Sequence, residues 1–266
     1  MNINLAIVER AKAGELLTAA ELDELATADV LSLGMLADEV RRARVGDSVT
    51  YAQDAESRLM TLPDTLADAI AHVRDAKASH RPVVGYSLAE VIDRNWGTLP
   101  DVLKQLKSAG LDAIAEAPVD RIADVAAALR AAQEAGLAVR CLSLQKPLIG
   151  DRTGFLLKLR AIAVQFPAIQ TVAPLPREQS IAVPTTGYDD VRAVALARLA
   201  LPSVKNIQVD WAQYGPKLAQ VALTFGANDL DRVSTVDDPT LGKRRTSVED
   251  VRRNIGAAGF TAIERS

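Results

Sequence analysis

The chain is 266 residues long, 48% hydrophobic and 24% charged, with a net charge of −3. That composition is ordinary for a globular protein, and the length suits one α/β barrel that buries its core without disulfide or metal staples. The near balance of 31 basic and 34 acidic residues argues against a nucleic-acid surface. A single cysteine, Cys141, excludes an internal disulfide or an all-cysteine metal cage, so no metal site is expected.

The first residues show no basic segment followed by an apolar run, so no secretory signal is read there. No apolar stretch approaches the roughly 20 residues that span a bilayer. The expectation is a cytoplasmic protein with neither a membrane nor a nucleic-acid partner.

In chain order, the first third reads as helix. Thr18 and Glu21 have capping-box spacing. Apolar residues from Leu22 to Val40 then recur at helical intervals up to Arg44. Gly46–Asp47 breaks that pattern, and Ser48–Gln53 reads as a strand. A helix follows over Pro63–Ser79, with proline in its first turn, and then a strand over Arg81–Tyr86. Next come a helix over Thr98–Ala109 closed by Gly110, a strand over Leu111–Ala115, and a helix over Asp120–Ala135 closed by Gly136. The strand Ala138–Leu144, the helix Arg152–Val164 and the strand Ala168–Val172 continue the alternation. The last part reads as helix Tyr188–Leu201, strand Asn206–Trp211, helix Pro216–Ala219 or longer, strand Val221–Phe225 and helix Ser247–Ala258.

Seven strands alternating with helices imply parallel βαβ units. No GxGxxG or GxxxxGK loop is present, which disfavours a nucleotide-binding open sheet. The expected fold is a TIM-like (β/α) barrel with an N-terminal helical adaptor over residues 1–45, all in one domain spanning residues 1–266. No linker rich in Gly, Pro or Ser divides the chain.

In such folds the site gathers at the C-terminal ends of the strands. That rule selects Gln53 and Asp54, Tyr86 and Ser87, Glu116, Gln145 and Lys146, Arg177, Trp211 and Gln213, and Asn228 and Asp229. Alternation along Ile207–Gln213 sets Trp211 and Gln213 on one face and Gln208 and Asp210 on the other. Trp211 and Gln213 then form either a platform for a flat ligand or, with the indole bonded to a loop carbonyl, a cap on the core. Asn228 and Asp229 read either as hydroxyl-binding groups at the barrel mouth or as turn and cap residues. Asp189 and Asp190 open a helix, where a carboxylate favours the positive helix end. The only histidines, His72 and His80, lack the spacing that brings two ligands to one helix face. Cys141 falls in mid-strand and reads as a buried, inert thiol.

The blocks GYDDVRAVALARLAL and IQVDWAQYGPKLAQVALTFGANDLD resemble the radical SAM enzymes of the futalosine route to menaquinone. Those are aminofutalosine synthase and dehypoxanthine futalosine cyclase, with the related synthases of the deazaflavin cofactor. LSLGMLADEVRRA, GDSVTY, LKQLKSAGLDAI, LLKLRAIA and TSVEDVRRNIGAAGF extend the likeness over most of the chain. The resemblance also shows what this chain lacks. The family follows its first strand with a CxxxCxxC loop holding a 4Fe–4S cluster, where this chain reads Asp54-Ala-Glu-Ser-Arg-Leu-Met-Thr-Leu-Pro63. About one βα unit is missing there, with the segment that meets S-adenosylmethionine. Gln145-Lys-Pro147 stands in place of a GxxET-like turn, and Ser234–Asp238 in place of a Glu-Glu-Asn stretch.

The resemblance therefore implies a radical SAM-like barrel without cluster or cofactor. It points to a non-catalytic relative that binds a small-molecule metabolite or partners an active radical SAM paralogue. Ligand-binding candidates are Trp211, Gln213, Asn228, Asp229, Glu116 and Tyr86. Two alternatives stand beside it. One is redox-neutral acid–base chemistry by Glu116, Lys146, Asp210 or Asp229. The other is an interaction protein whose open strand edge is covered in a homo-oligomer.

Overall fold

The computed structural model describes residues 3–53, 58–59, 61–79, 81–148, 150–178, 185–233 and 248–265. Asp54, His80, Ser234–Asp238 and the side chain of Gln53 lie outside the described residues.

The adaptor is three helices, α1 (Leu5–Ala13), α2 (Ala19–Thr27) and α3 (Val30–Val45). The Thr18 hydroxyl accepts from the Glu21 N–H while Glu21 accepts from the Thr18 N–H, the reciprocal box read from the sequence. The single helical run expected up to Arg44 is broken at Ala28–Asp29, because Asp29 caps a new helix by accepting from the Ser32 N–H. Leu33, Leu36, Ala37 and Val40 bury one face of α3. A Cβ on Gly34 would stand 2.5 Å from the Phe225 ring, so the bare backbone lets α3 approach the barrel.

The barrel elements follow in order. They are β1 (Ser48–Gln53), β2 (Arg58–Leu59), α4 (Leu66–Lys77), β3 (Val83–Ser87), α5 (Leu88–Asp93) and α6 (Leu99–Ala109). Then come β4 (Leu111–Pro118), α7 (Val125–Glu134), β5 (Ala138–Val139), β6 (Leu142–Leu144), α8 (Arg152–Gln165) and β7 (Thr171–Pro176). The chain continues through α9 (Gly187–Ala200), β8 (Asn206–Asp210), α10 (Trp211–Leu223), β9 (Asp229–Val233), α11 (Val248–Ala257) and β10 (Thr261–Glu264).

Every pairing is parallel, in the order β10-β1-β9-β8-β7-β6-β4-β3-β2, with β5 beside β4. This is a TIM-like α/β barrel. Among the described residues no ladder joins β2 to β10, so the wall is open at that seam. Only residues 54–57 lie between β1 and β2. A crossover between neighbouring parallel strands takes a dozen or more residues, and β10 stands beside β1 instead.

Four further readings are corrected. The helix expected from Pro63 starts at Leu66, because Thr65 caps it by accepting from the Asp68 N–H. The strand over residues 138–144 is interrupted at Arg140–Cys141. The strand expected at Val221–Phe225 is the end of α10, and the true strand is β9, eight residues further on. Trp211 begins α10, since Asp210 caps that helix by accepting from the Gln213 N–H at 2.9 Å. Among the described residues, no helix is long and apolar enough to cross a membrane.

Candidate functional site

A parallel barrel of this size commonly fills its interior with branched apolar side chains. Here much of the inner wall is polar. Register fixes which residues share it, because laterally paired residues in a parallel sheet project to the same face. Gln208 pairs with Asp229, Asp210 with Asp231, and Thr50 of β1 with Asp229. Ser87 at the end of β3 pairs with Glu116 of β4. Ser143 of β6 pairs with Pro118, two residues beyond Glu116 on the same face.

Arginines stitch this wall together. Arg177 follows β7, held by its backbone N–H on the Leu144 carbonyl at 2.9 Å. Its Nε donates to Glu116 Oε2 at 2.8 Å, Nη2 to Gln208 Oε1 at 3.0 Å and Nη1 to Asp210 Oδ2 at 3.4 Å. Burial alone would lower its pKa, but Glu116, Asp210 and Asp231 outweigh that and hold it above the ordinary arginine value. Arg232 on β9 reaches back to Asp210 at 3.2 Å and Glu116 at 3.7 Å. Arg265, just past β10, pairs with Asp229 at 3.3 Å and Asp231 at 3.2 Å.

Asp229 lies deepest, accepting from Thr50 Oγ1 at 2.5 Å and Gln208 Nε2 at 2.7 Å. Desolvation raises its pKa above the ordinary aspartate value, more than Arg265 lowers it. The folded chain then binds this proton more tightly than the unfolded chain does. Its contribution to stability is greatest below about pH 4 and is lost as pH rises through the raised folded value. Asp229→Asn should flatten that part of the curve. Urea midpoints measured against pH for both proteins check this, and parallel curves would refute it.

The six sequence-derived candidates separate. Glu116 and Asp229 lie in the network. Asn228 precedes β9 and sits at the N-terminal end of the strands, away from the mouth. Its Oδ1 accepts from Arg198 Nη2 at 2.5 Å and the Ile207 N–H at 2.9 Å. Tyr86 is buried with φ 62°, its hydroxyl donates to the Ala69 carbonyl of α4 at 3.3 Å, and burial pushes its pKa up to about 12. Trp211 packs into the core, and among the described residues its Nε1 has no partner. Gln213 donates through Nε2 to the Pro176 carbonyl at 2.9 Å, tying α10 to the end of β7.

The inward pair is therefore Gln208 and Asp210, the face that alternation had assigned away from Trp211. Lys146 is exposed in a loop fastened by Asp120, which accepts from the Gln145 and Lys146 N–H groups at 2.8 and 3.0 Å. His72 is exposed. Asp189 closes a capping box with Thr186 at the start of α9. Asp231, Arg232, Arg265 and Ser143 were missed. The signal that could have found Asp231 is the matching alternation Gln-Val-Asp over 208–210 and Asp-Leu-Asp over 229–231, whereas no local pattern marks Arg232, Arg265 or Ser143.

The donor set does not fit an iron–sulfur cluster, which takes several thiolates. Cys141 is buried between β5 and β6, its Sγ lies 3.3 Å from the Leu142 carbonyl, and burial raises the thiol pKa to about 12. Among the described residues no group of three His, Cys, Asp or Glu side chains is arranged to hold a metal ion.

Residues 156–265 match the family model of the CofH/MqnC C-terminal region. The curated relatives include the 5-amino-6-(D-ribitylamino)uracil–L-tyrosine 4-hydroxyphenyl transferase of Archaeoglobus fulgidus, 31% identical over 68% of this chain. That match covers 62% of the relative, so the chain spans less than two thirds of its length. The Methanopyrus kandleri transferase of the same name is 27% identical over 84% of this chain and 72% of its own. Among solved structures, methylornithine synthase superposes with a TM-score of 0.70 over 97% of both chains at 13% identity. The FeFe-hydrogenase maturase HydG from Carboxydothermus hydrogenoformans gives 0.65 over 97% of this chain and 78% of its own at 14% identity. At those identities the structural likeness establishes the fold alone. The chain is thus related to the CofH/MqnC-like radical SAM proteins, and its residues 156–265 match the C-terminal region of that family.

Proposed function

We propose that this chain is a radical SAM-like protein without radical catalysis, whose barrel binds a polar metabolite of the class its transferase relatives handle. The observation that carries this reading is the donor set: one buried cysteine with a raised pKa cannot supply the thiolates of a cluster. The polar inner wall supports binding as the retained role. The relatives' name makes 5-amino-6-(D-ribitylamino)uracil and tyrosine the first ligands to test, with futalosine-route metabolites and an active radical SAM paralogue next. Acid–base catalysis has less support, because Glu116, Asp210 and Asp229 are each tied to an arginine and Lys146 is exposed.

The test is anaerobic reconstitution with iron and sulfide, followed by thermal melts with each ligand. The expected result is no iron–sulfur absorption and a saturable rise in Tm with at least one ligand or the paralogue. A 4Fe–4S spectrum, or melts indifferent to the whole panel, would overturn the proposal.

A further inference from the structure

The two arginines over Glu116 and Asp210 are held very differently. Arg177 is 5% exposed, makes side-chain contacts at 2.8 and 3.0 Å, and is anchored through its backbone. Arg232 is 25% exposed and makes no contact with these carboxylates shorter than 3.2 Å. Its Nε is buried without a partner among the described residues. Its φ is 54°, in the left-handed region that side chains other than glycine, asparagine and aspartate seldom adopt. A strained backbone there persists only when its surroundings over-determine it, and two loose ion pairs are what the site offers.

Charge gives the second part. Without Arg232, two carboxylates face the one guanidinium of Arg177, which leaves an excess negative charge in a partly desolvated mouth. Ser87, paired in register with Glu116, has a buried hydroxyl without a partner among the described residues. The same holds for Ser143 on the neighbouring strand. Buried hydroxyls are normally satisfied, so these two point to a polar guest beside the carboxylates.

We propose that Glu116 and Asp210 form a binding site for an ammonium or guanidinium group of a ligand, and that Arg232 occupies it in this conformation. The site rests on the reading of the barrel as a binding protein and names the charge its ligand carries. Arg232 is then a displaceable side chain, and Arg177 is part of the fixed floor.

The experiment is rescue by a free cation. Arg232→Gly removes the side chain and suits the positive φ, so the variant is expected to fold with a Tm within a few degrees of the parent. Methylguanidinium chloride, with potassium chloride as the ionic-strength control, should raise the Tm of R232G saturably. At ten times its dissociation constant the rise should be roughly 3–5 °C. The parent chain, Arg232→Lys and the double variant R232G/E116Q should not respond. If R232G does not fold alone, methylguanidinium in the refolding buffer should restore the parent's near-UV circular dichroism where potassium chloride does not.

A response equal in all four proteins, or none in R232G by either route, would overturn the site. Failure of methylguanidinium alongside a parent Tm that still rises with tyrosine or the ribitylaminouracil would remove this site alone and leave the proposed function standing.

Discussion

Arg198→Met is expected to lower the thermal unfolding midpoint by roughly 10 °C. Arg198 on α9 is fully buried and bonds three oxygens. Nε donates to the Gly226 carbonyl at 2.8 Å, Nη1 to the Lys205 carbonyl at 3.1 Å and Nη2 to Asn228 Oδ1 at 2.5 Å. Asn228 also receives the Ile207 N–H and donates to Asn206 Oδ1, so one guanidinium fixes the starts of β8 and β9. Methionine fills much of the volume but leaves the Gly226 and Lys205 carbonyls without this donor, each costing about 1–3 kcal/mol, while Asn228 Oδ1 keeps the Ile207 N–H.

Against that stands relief of burying a charge. Burial first, then Arg44 and Arg41, push the Arg198 pKa down to about 9, which still leaves it charged at neutral pH. The lost bonds outweigh this relief, because their geometry is good and the site has no room to rearrange. A Cβ added to Gly226, at φ 100°, would stand 2.9 Å from the Arg198 Cβ, closer than two carbons pack. A net loss of about 3 kcal/mol corresponds to roughly 6–12 °C in a chain of this size. Arg198→Lys keeps the charge and should recover part of the loss. A methionine variant melting within 2 °C of the parent would show that the oxygens find other partners.

Arg177→Met should be of similar severity for a different reason. Arg198 binds neutral acceptors, whereas Arg177 neutralises Glu116 and Asp210. Removing one partner of a buried pair strands the other charge and costs about 3–5 kcal/mol. The diagnostic comparison is R177M/E116Q, which removes both ends of the 2.8 Å contact. Urea denaturation should place the double variant well above the sum of the single losses, with a coupling of about 1–3 kcal/mol. Additive losses would mean that Arg177 acts by packing its methylenes and not by its charge.

How far these features could be read from the sequence depended on how local their causes were. Thr18 with Glu21, Gly110 after α6, and the amphipathic face of α3 are set within one or two turns of chain, and were legible. β9 was not. Its sequence, Asp-Leu-Asp-Arg-Val, is polar where a strand signal expects apolar residues, because its inward positions join the ion network. The apolar run Val221–Phe225 imitated a strand while closing α10 against the core. The same inversion misled the reading of β8, where Ile207 and Val209 are the face turned away from the polar wall and Gln208 and Asp210 line it. Glu116 was legible as a polar residue near a strand end, whereas Asp229 was selected as following a strand at Val221–Phe225 and instead opens β9. Their partners Arg177, Arg232 and Arg265 come from the residue after β7, from β9 and from the residue after β10, a convergence that no window of sequence displays.

The position of β1 also has a consequence for the order of assembly. Its two neighbours are β9 and β10, so Thr50 waits for Asp229 and Ser48 for Thr261. During synthesis every other long strand can find a partner within the next few dozen residues, while β1 leaves the ribosome with both edges bare. Pairings this distant in sequence form slowly, and unpaired edges invite association with other chains. Chaperone dependence should therefore concentrate on the β1 segment, and shortening the chain before β9 should expose it even where the β3–β8 wall has already formed.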